Sequence, residues 1–162
     1  MPKLITHDDR KPNGYDPPHT EKGIKKIQEL VEENSGILKT NTVVYGAATR
    51  FWQIAQEVLK KNSGAQYKSS FLCGTPEGLD VETNRICLVN GLTVPLKEHE
   101  GLEKAVAEGY VNIWRYLGKF PDDTVICAGG ELMIALGLNS IRKRGALYEI
   151  DISDRSGNLI WE

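Results

Sequence analysis

His7 closes a short apolar run, Lys3-Leu4-Ile5-Thr6, and is followed by Asp8, Asp9 and Arg10. An imidazole at a strand end with guanidinium groups beside it suits a phosphoryl group, because guanidinium holds phosphoryl oxygens in pairs. A second arginine, Arg50, follows the small-residue turn Gly46-Ala47-Ala48-Thr49 after the β-branched run Thr42–Tyr45. A further run, Asp123–Cys127, delivers Ala128-Gly129-Gly130 into a helix. Glycines between a strand and a helix expose backbone N–H groups, and a helix N-terminus favours an anion. Together these groups suit a phosphoryl group. Singly, each has an ordinary structural use as a hydrogen-bonded strand-end histidine, a solvated arginine or a tight turn.

Other residues carry rival chemistry. His7, Asp8, Asp9, Asp16 and His19 could be drawn as a metal cluster. The adjacent aspartates read more simply as a solvated loop, although they raise the cost of holding a phosphate nearby. No metal and no other cofactor is expected. Cys127 could be a nucleophile at a helix N-terminus, but cysteine phosphatases of that type carry Cys-x5-Arg, and position 133 is Met133. A buried strand cysteine is the better reading. Arg142-Lys143-Arg144 reads as the solvated end of a short helix rather than as a phosphate site. Trp52, Trp114 and Trp161 are spread over separate elements and read as packing residues, not a base-stacking platform.

The elements that must position these groups alternate. Residues 3–6 predict a strand and His7–Thr20, with Gly14, Pro12, Pro17 and Pro18, a long loop of the kind that often carries function. Thr20 caps a helix with Ile24, Ile27, Leu30 and Val31 at helical spacing. The strand Thr42–Tyr45 follows, then a helix with Phe51, Ile54, Val58 and Leu59 on one side. Tyr67–Cys73 predicts a third strand, Asn90-Gly91 a hairpin between Arg85–Val89 and Leu92–Leu96, and Glu98–Leu117 a longer helix. Asp123–Cys127 is a strand, Glu131–Leu138 a short helix, and Ala146–Ile152 with Leu159–Trp161 a closing hairpin across Asp154–Asn158. Such alternation predicts an α/β sandwich around a mainly parallel sheet, with ligands gathered at the carboxyl ends of the strands.

The 162 residues suffice for a single domain, 1–162, with a full core. A net charge of −2, from 20 Lys+Arg against 22 Asp+Glu, argues against a general nucleic-acid binder. No apolar run approaches the roughly 20 residues of a membrane span, and the start has no signal-peptide pattern. Cys73, Cys87 and Cys127, an odd set without paired metal spacing, read as reduced thiols of a cytoplasmic protein. A membrane partner is not expected, and a homodimer is left open.

In this order the blocks resemble the histidine phosphatase superfamily, the phosphoglycerate mutase-like fold. That family opens with a strand ending in Arg-His-Gly and continues to Leu-Thr-x-x-Gly; here stand Leu4-Ile5-Thr6-His7-Asp8 and His19-Thr20-Glu21-Lys22-Gly23. Its second block, Ser-Ser-Pro-Leu-x-Arg-Ala-x-Gln-Thr-Ala, is similar to residues 45–55, with Arg50, Gln53 and Ala55 in register. Its third, Ser-His-Gly-Gly before a helix, is similar to Cys127-Ala128-Gly129-Gly130. Residues 66–122 match in element order alone. The resemblance implies a three-layer sandwich, His7 as catalytic nucleophile, and Arg10, Asn13, Arg50, Gly129 and Gly130 around the phosphate. It places Glu98 or Glu100 as general acid, although ordinary surface carboxylates fit those positions as well.

Three family positions are altered. Thr6 replaces the first arginine, Asp8 the glycine and Ala128 the second histidine. Losing a charged transition-state contact slows such reactions by about 10²–10³ for one donor. The expectation is a phosphoester-binding or interaction module with a degraded phosphoryl-transfer site and weak or no catalysis. Its ligand would be phosphate, a small phosphoester or a phosphorylated protein. The alternative is an active phosphohydrolase, acting on a phosphomonoester or phosphohistidine, with His7 as nucleophile.

Overall fold

The computed structural model describes residues 1–8, 10–11, 17–70, 73 and 113–162. Its centre is a sheet of β1 (Lys3–Thr6), β2 (Thr42–Tyr45), β3 (Gln66–Ser69), β4 (Val125–Ala128), β5 (Leu147–Asp151) and β6 (Ser156–Trp161). The spatial order is β3-β2-β4-β1-β5-β6. The first four of these run parallel, and β5 and β6 are added antiparallel. Inner parallel strands are covered on both faces and therefore read as unbroken apolar runs. Leu4-Ile5, Val43-Val44 and Val125-Ile126-Cys127-Ala128 are all buried.

Helices α1 (Glu21–Glu33), α2 (Thr49–Lys61), α3 (Ile113–Leu117) and α4 (Gly130–Ala135) make the outer layers. Ile27 and Leu30 of α1 and Ile54 and Val58 of α2 pack on Ile5, Val43 and Cys127. On the opposite face Ile113, Leu117, Leu132 and Met133 pack on Leu4, Val44 and Ile126. The result is a three-layer α/β sandwich. The chain leaves β1 and β2 toward the α1/α2 layer but leaves β4 toward the α4 layer. Neighbouring strand ends whose connections diverge open a crevice, and β1 and β4 are such neighbours.

Thr20 caps α1 as expected, its hydroxyl accepting from the Gly23 N–H at 3.1 Å. Thr20→Ala should cost about 1 kcal/mol, read as a lower urea midpoint at unchanged slope; an unmoved midpoint would show the cap to be dispensable.

Several boundaries differ from the sequence reading. β4 begins at Val125 because the Thr124 N–H is spent in a turn on the Pro121 carbonyl. β3 stops at Ser69, and its exposed residues are set by pairing with β2. α4 ends at Ala135 because Gly137, at φ +76°, lets Leu138 N–H reach back to the Met133 carbonyl. In the closing hairpin Arg155 takes φ +50°, which brings Ser156 opposite Asp151 and leaves Gly157-Asn158 inside β6. The expected hairpin at Arg85–Leu96 and most of the expected helix Glu98–Leu117 lie outside the described residues. Among the described residues no helix is long and apolar enough to cross a membrane.

Candidate functional site

His7 leaves β1 with its main chain fixed on both sides. Its N–H donates to the Ala128 carbonyl at 3.3 Å, and its carbonyl accepts from the Gly145 N–H at 3.0 Å. The ring Nδ1 lies 2.8 Å from the Asp8 carbonyl oxygen. A carbonyl can only accept, so Nδ1 carries the hydrogen and Nε2 keeps its lone pair. Burial lowers the His7 pKa to about 4, with Arg50, His19 and Arg10 adding to the effect and the Asp8 contact opposing it. The ring is therefore neutral near pH 7.

Behind it, buried His19 locks the loop. Its N–H and its Nδ1 both meet Gln53 Oε1, at 2.9 and 3.0 Å, while its Nε2 accepts from the Asp8 N–H at 3.1 Å. Both ring nitrogens are thus in use for structure, which removes His19 from the metal cluster the sequence allowed. An antiparallel bridge between Arg10 and His19 ties the two ends of the same loop. Gln53 and Arg50 stand one turn apart on α2, so one helix face serves both the loop and the site.

Phe51 is the wedge between these parts. Its buried ring meets the His7 ring edge-on at 5.9 Å, and the Arg50 guanidinium carbon lies 4.4 Å from its centroid. Gly46 and Gly129 approach so closely that a Cβ would fall 2.4 and 3.0 Å from ring atoms. Both positions need glycine because the ring occupies the space of a side chain.

A cavity of about 310 Å³ opens beside His7, lined by Thr6, Arg10 and Gly130 and by Arg142-Lys143-Arg144. That basic run is exposed and ends a short helix, as expected, but it also lines the cavity. It follows the one-turn helix Asn139–Ile141 and is pinned at the cavity by side chains from elsewhere. Thr6 Oγ1 donates to the Lys143 carbonyl at 2.7 Å and accepts from the Ala146 N–H at 3.1 Å. The Tyr148 hydroxyl donates to the Ile141 carbonyl and accepts from the Lys143 N–H, at 2.9 and 2.7 Å. Lys26 Nζ donates to the Arg144 carbonyl at 3.0 Å. The Arg142 guanidinium lies over Gly130, where a Cβ would meet Nη1 at 2.9 Å. The Asp8 carboxylate packs against Gly145, 3.9 Å from Lys26 Nζ, and does not line the cavity.

No protein-family model and no curated protein matches the sequence. Solved structures do match. A phosphoserine phosphatase from Entamoeba histolytica, in complex with 3-phosphoglyceric acid, aligns at TM-score 0.60 and 12% identity over 98% of this chain and 95% of that one. A mycobacterial glucosyl-3-phosphoglycerate phosphatase aligns at 0.56 and 12% over 98% and 96%, and its VO3 complex at 0.59 and 13% over 98% and 97%. The fold is that of the histidine phosphatases. At these identities the likeness is one of architecture.

On this histidine phosphatase fold, four of the residues singled out in the sequence, Thr6, His7, Arg10 and Gly130, line one cavity. Arg50 does not line it; its guanidinium lies on the Phe51 ring, and its charge acts on His7. Gly129 serves as the N-cap of α4, and its N–H is donated to the Cys73 carbonyl at 3.2 Å. Ala128 is buried in the sheet, paired in register with Thr6. Asn13, Glu98 and Glu100 lie outside the described residues. Cys127 faces the α1/α2 layer, where burial pushes its thiol far up, so it is a core residue. Trp52, Trp114 and Trp161 are half-buried packing residues. The basic loop is the exposed end of a short helix that the sequence reading expected, but its place along the cavity was not part of that reading.

Proposed function

We propose that this chain binds a phosphoester in the His7 cavity and transfers its phosphoryl group to His7 slowly. The observation that carries this is the His7 ring: neutral, with Nδ1 committed to the Asp8 carbonyl and the Nε2 lone pair left for phosphorus. In the step, Nε2 bonds to phosphorus while the bond to the leaving oxygen breaks. Water then attacks the phosphohistidine, releases phosphate and returns the lone pair to Nε2. The phosphatase whose structure holds VO3 shows that this architecture accommodates a phosphate-like oxyanion in that protein. The slow rate follows from Thr6, whose hydroxyl is taken up by the basic loop, and from Ala128, which has no polar group to offer. Each missing donor is worth about 10²–10³ in rate, without simple additivity.

An aryl phosphate is the substrate to use, because a phenolate leaves without a proton from a general acid. Rapid acid-free quenching with radiolabelled substrate should trap label on wild type and none on His7→Ala. Arg50→Ala should bind inorganic phosphate at least about tenfold more weakly. Phosphate binding without label would leave a phosphoester reader, whose ligand could be a small phosphoester or a phosphorylated protein. Neither binding nor label would overturn the proposal.

A further inference from the structure

Resting on that reading, we propose that Arg142 is a phosphoryl-binding residue of this site, and that Thr6 is the positioning residue that puts it there. The strand ends on the α4 side of the cavity are electrically neutral: Thr6 and Ala128 are neighbours in register, and both face that layer. Arg142 comes over Gly130 from the same side, so its guanidinium supplies the cation that the strands lack. The loop carrying it is held at four backbone groups, Ile141 O, Lys143 N and O, and Ala146 N, by two hydroxyls. Much of the ordering cost of a loop arginine is therefore met before a ligand arrives.

Charge and shape select Arg142 within the run. Lys143 Nζ lies 3.7 Å from a Glu162 carboxylate oxygen and is drawn toward it. The Arg144 main chain is tied to Lys26, and no contact places its side chain over Gly130. No carboxylate is among the described residues lining the cavity. A guanidinium in that position can grip two oxygens of one phosphoryl group.

The test is calorimetry with inorganic phosphate on wild type, Arg142→Ala, Thr6→Val, Thr6→Ser and Arg50→Ala, with Lys119→Ala as an exposed charge control. Arg142→Ala should weaken binding about tenfold or more, with its melting temperature unchanged. Thr6→Val should weaken it by several-fold, and Thr6→Ser should restore it, which a general loss of packing would not do. Phosphate binding in Arg142→Ala within twofold of wild type, alongside its loss in Arg50→Ala, overturns the role of Arg142 and leaves the His7 reading standing. An equal loss in Lys119→Ala reduces the effect to bulk charge and overturns it too. Absence of binding in wild type overturns both.

Discussion

Phe51→Ala should destabilise the protein by about 3–5 kcal/mol and disorganise the His7 cavity along with it. The ring is buried, fills the space left by Gly46 and Gly129, carries the Arg50 guanidinium on its face and supports His7 at its edge. Removing it leaves a cavity whose glycine walls have no side chains to collapse inward. Guanidinium unfolding should show the loss directly. Phe51→Leu separates the two consequences. Filling most of the volume, it should cost less than about 1.5 kcal/mol, yet Arg50 loses its aromatic face and His7 its edge contact. Phosphate affinity should fall in Phe51→Leu while the fold persists. A leucine variant that binds phosphate like wild type would make the ring a core filler and nothing more.

The second large effect is on stability against pH. His7 titrates near 6.5 in an unfolded chain and at about 4 in the folded one. Between those values the unfolded state binds a proton that the folded state refuses, so lowering the pH favours unfolding. The contribution of neutral His7 is complete above about pH 6.5 and is lost progressively until about pH 4; below that the group is charged in both states. The loss amounts to about 3 kcal/mol. His7→Gln should flatten this part of the profile, and subtracting the two profiles cancels the carboxylates that titrate nearby. NMR of the imidazole should give a midpoint near 4 and the Nδ1–H tautomer. A midpoint near the free value would contradict the burial on which both the pH effect and the proposed role of His7 rest.

Much of this architecture was legible from residue types alone. β1, β2 and β4 announce themselves because inner parallel strands must be apolar on both faces, and α1 because Thr20 stands where its cap is needed. Gln66–Ser69 was harder: its residues are exposed and its limits come from pairing with β2. The turn of the closing hairpin was misplaced because it is made by a non-glycine residue at positive φ, Arg155, with a glycine waiting two residues later. Of the residues lining the cavity, His7 and Arg10 could be singled out because reactive side chains at strand ends are few. Arg142 could not. What brings it to the cavity is a hydroxyl from Thr6, and Thr6 and Lys143 are 137 positions apart. Spacing rules reach along one element, and that contact crosses the whole chain.

β1 lies between β4 and β5, and the two backbone partners of His7 are Ala128 and Gly145. A ribosome extends a chain from its N-terminus at roughly 5–20 residues per second. His7 therefore emerges before Ala128 and Gly145 and waits for both of them. Before then β1 lacks its sheet neighbours and His7 lacks both main-chain partners. A prematurely terminated product lacking Gly145 should carry His7 in its sequence and yet lack the cavity. The strand order thus leaves the cavity unformed until the chain has been made through to its closing hairpin.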